Sequence, residues 1–200
     1  MKKLVGYFDF QCPYCYLGTH YARLMQQEIP CVIEWRPINI HPEIPAEGMD
    51  IAVAYPDFNL VERIHNLRIL GGKVELPVVD FRWLSSTQKA LEAFEYSKKF
   101  QKENFMMYTL FNAYWGAGVD IGEEAKLLSL VEAIGIDTVE LPQIWAEGQY
   151  KQKFDEYYKE AEASKLDVVP TLYKDGVKVL EATKTMEFAE YQSKFREIWK

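Results

Sequence analysis

The sequence predicts an α/β fold: a βαβ unit opens the chain, a block of helices fills its middle, and a ββα unit closes it. Three observations lead there. A β-prone run over 3–10, a proline-opened helix and a second, alternating strand follow one another within about forty residues. Capping residues and glycine stops then recur from 60 to 166. Strand character returns at 168, with Asp175-Gly176 as a two-residue hairpin turn ahead of a last helix.

In the first unit, Leu4, Val5, Tyr7, Phe8 and Phe10 make a short, largely apolar run, as in a strand buried on both faces. Pro13 suits a first helical position, where its missing N–H costs nothing. Leu17, Tyr21, Leu24 and Met25 mark one face of a helix over 14–28, which Pro30 stops. Over 31–40, Val32, Glu34 and Arg36 alternate with Ile33, Trp35 and Pro37, the pattern of a second strand. Strand, helix, strand at this spacing implies a parallel pair with a right-handed crossover. The prolines at 42, 45 and 56 predict a loop over 42–56. In the helical block, starts are expected at Asn59, at Ser86 and Thr87 ahead of Ala90, and at Asp137 with Glu140 as a capping box. Gly116 and Gly118 end one helix and Gly135 another, while Pro77 and Pro142 mark breaks. Strands over 168–173 and 177–180 flank the Asp175-Gly176 turn, and an amphipathic helix over 185–199 follows.

Composition excludes several function classes. With 48% hydrophobic residues in 200, the chain can bury a core without disulfide staples. It carries 23 basic and 30 acidic side chains, net −7, a balance that repels phosphate backbones and argues against nucleic acid. No apolar run approaches the ~20 residues of a membrane span. The opening MKKLVGYFDF imitates a secretory signal, but Asp9 interrupts it and no small-residue cleavage site follows. A cytoplasmic, reducing setting is therefore expected, where structural disulfides rarely persist. Three cysteines are also an odd set, so a close pair reads as catalytic or metal-binding.

That pair is Cys12 and Cys15, in Cys12-Pro13-Tyr14-Cys15. A CxxC at the junction of strand and helix puts Cys12 at the helix N-terminus, where unpaired N–H groups and the helix dipole favour an anion. Cys12 is thus read as the attacking thiolate. Cys15 lies about one turn further on, shielded but able to resolve a mixed disulfide, and Pro13 stiffens the turn between them. Three readings compete: an inert structural pair, unfavoured in a reducing compartment; an iron–sulfur cluster shared between two protomers, for which nothing argues; and a zinc half-site, yet no second CxxC, HxxxH or CxxH exists, and only Cys31, His20, His41 and His65 could complete it. Val168-Val169-Pro170-Thr171 offers a second element. Pro170 either merely opens a strand or forms a cis-proline loop facing the CxxC, leaving the Val169 backbone to pair with a substrate chain.

The chain resembles the DsbA-like branch of the thioredoxin superfamily, in particular the FrnE-like dithiol oxidoreductases. The resemblance rests on Asp9-Phe10-Gln11-Cys12-Pro13-Tyr14-Cys15-Tyr16-Leu17-Gly18, on Glu34-Trp35-Arg36-Pro37 and on the segment from His41 to Gly48. It extends to Leu110-Phe111-Asn112-Ala113-Tyr114-Trp115, Asp120-Ile121-Gly122 and Val169-Pro170-Thr171. It implies one thioredoxin-like domain over 1–200 with a helical insertion at about 58–148. It further implies a thiol–disulfide oxidoreductase or isomerase in which Cys12 is the nucleophile, Cys15 resolves and Pro170 is cis. Pro13, Tyr14, Val169 and Pro170 are the candidate substrate-binding residues. Protein or peptide thiols and disulfides are the expected partners, glutathione is a candidate co-substrate, and no metal or organic cofactor is required. Tyr14 departs from the tryptophan usual in FrnE-like proteins, so the redox poise and direction stay open.

The same branch holds glutathione-dependent hydroxychromene-carboxylate isomerases and kappa-class glutathione transferases, whose motif is similar to FDF-x-SPYSYLG. In them a serine stands at the Cys12 position, so they form the alternative reading. A holdase or adaptor without turnover is a third. Elsewhere, Cys31 reads as a small buried hydrophobe. Asp9 reads equally as a proton acceptor or a structural cap. His20 reads as a surface or packing residue, and His41 is open. Phe105, Tyr108, Phe111, Tyr114 and Trp115 read as core, 155–160 as a solvated helix face, and 71–82 matches no pattern.

Overall fold

The computed structural model describes residues 2–56, 59–80 and 82–200. The expected edge of the insertion near 58, and Phe81 of the 71–82 segment, lie outside them. Strand β1 (Lys3–Phe8) leads through Cys12 into helix α1 (Pro13–Glu28) and back to β2 (Val32–Pro37). Cys12 has an extended backbone and Pro13 follows in the first turn, so the helix starts where the proline permits and no earlier. β1 and β2 pair in parallel, from Lys3 opposite Val32 to Phe8 opposite Pro37.

The middle of the chain runs through β3 (Met49–Asp50), α2 (Ile51–Ala54), α3 (Leu60–Gly72), β4 (Trp83–Leu84), α4 (Gln88–Ser97) and α5 (Glu103–Phe111). A π-helical turn at Asn112–Gly116 continues α5, and α6 (Glu124–Ala133), α7 (Leu141–Glu147) and α8 (Lys151–Ala163) follow. The chain closes with β5 (Thr171–Lys174), β6 (Val177–Glu181) and α9 (Phe188–Glu197). The main sheet has the order β2-β1-β5-β6, with β5 antiparallel to both neighbours. Asp175 and Gly176 both take positive φ (51° and 78°), as a type I′ turn between β5 and β6 requires.

Because β5 runs against β1, its first residue lies beside the last turn of β1: Thr171 is opposite Tyr7. The chain just before β5 is thereby carried to the start of α1. The core joins the sheet to the helical block through Phe8, Phe10, Phe94 and Phe111, whose rings meet at 4.8–5.2 Å between Phe8 and Phe10, Phe8 and Phe94, and Phe10 and Phe111. All four are buried.

Several sequence expectations hold, and several are corrected. Asn59 caps α3 by accepting from Glu62 N–H at 3.1 Å, and Gly118 and Gly135 take positive φ. β1 stops at Phe8, two residues early, because Asp9 begins a turn in which its carbonyl accepts from Cys12 N–H at 3.2 Å. β2 likewise stops at Pro37. The 42–56 segment is no plain loop, since Met49–Asp50 pairs with Trp83–Leu84 and the Asp50 carboxylate caps α2. Asp137 and Glu140 form no capping box: Asp137 accepts from Val139 N–H, and Pro142 opens α7 rather than breaking a helix. Phe105 and Tyr108 are exposed, unlike Phe111, Tyr114 and Trp115. Tyr157 is buried within the 155–160 face, and Cys31 is half-buried, just ahead of β2. Among the described residues, no helix is long and apolar enough to cross a membrane.

Candidate active site

The loop that feeds Cys12 is held mostly by the helical block. Asp9 is fully buried; its carboxylate accepts from Gln11 N–H at 3.0 Å, from Ile40 N–H at 2.8 Å and from the Thr87 hydroxyl. Thr87 stands at the start of α4 but spends its side chain on Asp9 rather than on a helix cap. The Phe10 carbonyl accepts from Trp115 Nε1–H at 2.8 Å, and the Gln11 amide donates to the Ser85 carbonyl at 3.1 Å. Burial pushes the Asp9 carboxyl above its ordinary range, against the opposing pull of those hydrogen bonds.

The 71–82 segment also supports this wall. The Tyr16 hydroxyl lies 2.9 Å from the Pro77 carbonyl and 2.8 Å from Asn112 Oδ1, and Val79 N–H donates to the Trp115 carbonyl at 3.0 Å. A backbone strap thus braces both α1 and the π-helical turn.

Cys12 and Cys15 are both buried and both free thiols. The Cys12 thiol donates to the Val169 carbonyl at 3.3 Å, joining residues 157 apart in sequence. The Val169–Pro170 bond is cis. Cys15 has no exposed surface, and burial, followed by its hydrogen bond to Cys12, holds its pKa well above the ordinary thiol value. Gly18, one turn beyond Cys15, makes room for the opposite wall. A Cβ there would lie 2.5 Å from Pro170 Cγ and 2.9 Å from Ala182 Cβ.

Two cavities flank Cys12. One, of about 270 Å³, has walls of Ile40, Ile51, Ile64, Leu67, Leu84 and Trp115, with Tyr14, His41, Tyr55 and Arg63 as its polar members beside Gln11. The other, of about 560 Å³, lies toward Val169, between the 38–41 segment and α8. Cys12, Ile40 and His41 line both and form the ridge between them. Among the described residues, no three His, Cys, Asp or Glu side chains converge as a metal site.

Residues 3–192 match the sequence profile of the DSBA-like thioredoxin domain. The chain belongs to that family. No curated protein sequence is detectably similar to it. Among solved structures, this DSBA-like chain is similar to a probable DsbA oxidoreductase from Streptomyces coelicolor, at 15% identity and a TM-score of 0.83, over 100% of this chain and 90% of that one. It is also similar to the cytosolic disulfide reductase DsbM from Pseudomonas aeruginosa (15% identity, TM-score 0.68, 98% and 97% covered). A third likeness is to a 2-hydroxychromene-2-carboxylate isomerase (19% identity, TM-score 0.70, 88% and 87% covered).

In this DSBA-like domain Cys12 meets Cys15 and the Val169 carbonyl, Pro13 and Tyr14 line one cavity with it, and Pro170 follows Val169 across the cis bond. Cys31 lies elsewhere, packed against the core beside Tyr191. Sequence reasoning missed Tyr55, Arg63, Thr87 and Trp115. Each reaches the site from an element distant in sequence, and no local pattern announces that contact.

Proposed function

We propose that this chain exchanges disulfides through Cys12 and Cys15. The observation that carries the reading is the Cys12 thiol at the start of α1, 3.3 Å from the Val169 carbonyl, with Cys15 buried one turn behind it. Cys12, as thiolate, attacks one sulfur of a substrate disulfide; a new S–S bond forms and the other sulfur leaves as a thiolate. Cys15 then gives up its proton and attacks the Cys12 sulfur. The Cys12–Cys15 disulfide forms, the second substrate thiol departs, and two electrons have passed from protein to substrate. The reverse sequence delivers a disulfide. Val169 then offers its carbonyl to a substrate N–H in place of the Cys12 thiol, with Pro170, Pro13 and Tyr14 shaping the surface around the sulfur. Peptide or protein disulfides are the substrates of this reading, glutathione is the recycling thiol, and a reducing compartment is its setting.

Cys12→Ser is expected to abolish reduction of a peptide disulfide, and Cys31→Ser to leave it intact. Cys15→Ser should accumulate mixed disulfides, seen by mass spectrometry as adducts on Cys12. A Cys12→Ser protein with full activity, or adducts on Cys31, would overturn the proposal.

The apolar cleft of about 270 Å³ beside Cys12 favours one second reading, glutathione-dependent isomerisation or transfer on a compact apolar substrate. Turnover of such a substrate that survives Cys12→Ser would select it, because in that chemistry a serine suffices to hold the glutathione sulfur.

A further inference from the structure

Three side chains at the rim of the clefts form a closed hydrogen-bonded set. His41 Nδ1 lies 2.9 Å from Glu43 Oε1 and 2.6 Å from the Tyr55 hydroxyl, which itself donates to Glu43 Oε1 at 2.9 Å. A carboxylate oxygen at that distance requires the proton on Nδ1, so neutral His41 keeps the lone pair of Nε2. Among the described residues no group is hydrogen-bonded to Nε2. The backbone of His41 is fixed as well. Its N–H donates to Asn39 Oδ1, and the adjacent Ile40 N–H donates to Asp9, the carboxylate that also shapes the Cys12 loop. One buried carboxylate therefore holds His41 and Cys12 on the same ridge between the two cavities.

Exchange at Cys12 releases a thiolate against largely apolar walls, where an unpaired charge is costly. Few of the lining groups can both take and give a proton near neutrality. Arg63 keeps its proton throughout. Tyr14 is pushed upward by burial, and Tyr55 is pushed up to about 12 by burial and by its bond to Glu43. Cys15 lies behind Cys12, away from both openings. His41 remains.

We propose that His41, oriented through Nδ1 by Glu43 and Tyr55, is the acid–base group of this site, taking the proton from Cys12 and returning it to the departing substrate thiol. The balance is simple. Cys12–SH and neutral His41 become thiolate and imidazolium; attack forms the Cys12–S–S–R bond; the leaving R′S⁻ takes the Nε2 proton and departs as R′SH, restoring neutral imidazole. No external oxidant or acid is consumed. Glu43 and Tyr55 are positioning residues. The titratable and charged groups that face His41 are Glu43 on its own loop, Tyr55 after α2, Asp9 after β1, Cys12, Arg63 of α3 across one cavity, and Tyr158, Glu162 and Asp167 across the other.

The inference rests on exchange at Cys12, and its test separates the two. Single-turnover oxidation of the reduced protein is measured from pH 5 to 9 with two disulfides. Oxidised glutathione has a basic leaving thiol that benefits from a proton; 5,5′-dithiobis(2-nitrobenzoate) has an acidic one that does not. His41→Gln is expected to slow the first reaction by about tenfold or more relative to the second, and to flatten the pH dependence of the ratio between them. Glu43→Gln, which leaves the imidazole but removes its anion, should keep part of that rate difference and alter its pH dependence. If Cys12→Ser abolishes both reactions but His41→Gln changes the two disulfides equally or not at all, the role of His41 is refuted and exchange stands. If Cys12→Ser leaves both reactions running, the underlying reading falls, and this inference with it.

Discussion

Asp9 holds two loops with one carboxylate: Oδ1 accepts from Gln11 and Oδ2 from Ile40, while Thr87 donates from α4. This arrangement favours the structural side of the two roles the sequence left open, and it has a measurable signature. Burial raises the native pKa of Asp9 above its unfolded value of about 3.9. A raised native pKa means that stability from this group is full below the unfolded value and is lost as pH climbs through the native one. Asp9→Asn, which turns an NH₂ toward a backbone donor, is expected to cost about 1–3 kcal/mol. Melting curves of the two proteins should lie furthest apart near pH 4 and draw closer toward pH 7. A gap that widens with pH would mean that the ionised carboxylate is favoured in the fold.

At the scale of elements, α1 and the β5–β6 layer meet at a contact with no slack. A methyl at Gly18 would press on a proline ring and on Ala182, neither of which has a flexible tip to swing away. Gly18→Ala is expected to cost about 1–3 kcal/mol and to push Val169 away from Cys12. Peptide-disulfide kinetics and a thermal melt on the same variant check this; lowered stability with unchanged kinetics would remove the Val169 carbonyl from the chemistry. Elements with local punctuation were legible in the sequence. Pro13 opens α1, Asn59 caps α3, and Asp175-Gly176 turns β5 into β6, each through a contact within three residues. What escaped was decided at long range. Asp137 caps nothing because α7 starts later, at Leu141 after Glu140, and β3 exists only because β4 pairs with it. Tyr157 is buried because α8 turns it toward Glu95, 62 residues away. The site divides in the same way. Its thiols and Pro170 were readable as motifs, whereas the brackets from Thr87, Trp115 and Tyr55 were not.

Across the whole molecule, the helical block and the sheet are locked by charge as well as by rings. Glu95 of α4 has no exposed side-chain surface and meets Lys98 at 2.8 Å, Lys153 of α8 at 2.5 Å and the Tyr157 hydroxyl at 3.0 Å. Lys98 also donates to the Trp35 carbonyl of β2 at 2.8 Å. Glu95→Ala strips a desolvated Lys98 of its anion and is expected to cost about 3–5 kcal/mol, read by chemical denaturation, with disulfide exchange retained in the folded protein. Loss below about 0.5 kcal/mol would show that the cluster is a solvated surface pair in effect.

The central place of β1, flanked by β2 and β5, carries a consequence for how the protein is made. β2 emerges from the ribosome soon after β1, but Val169 follows Cys12 by 157 residues. At ~5–20 residues per second, that gap lasts roughly 8–30 s. Throughout it one edge of β1 is open to pairing, and Cys12 lacks the Val169 carbonyl that its thiol meets in the finished fold. A nascent chain of this design is a ready client for the kind of chemistry that the finished protein is proposed to perform.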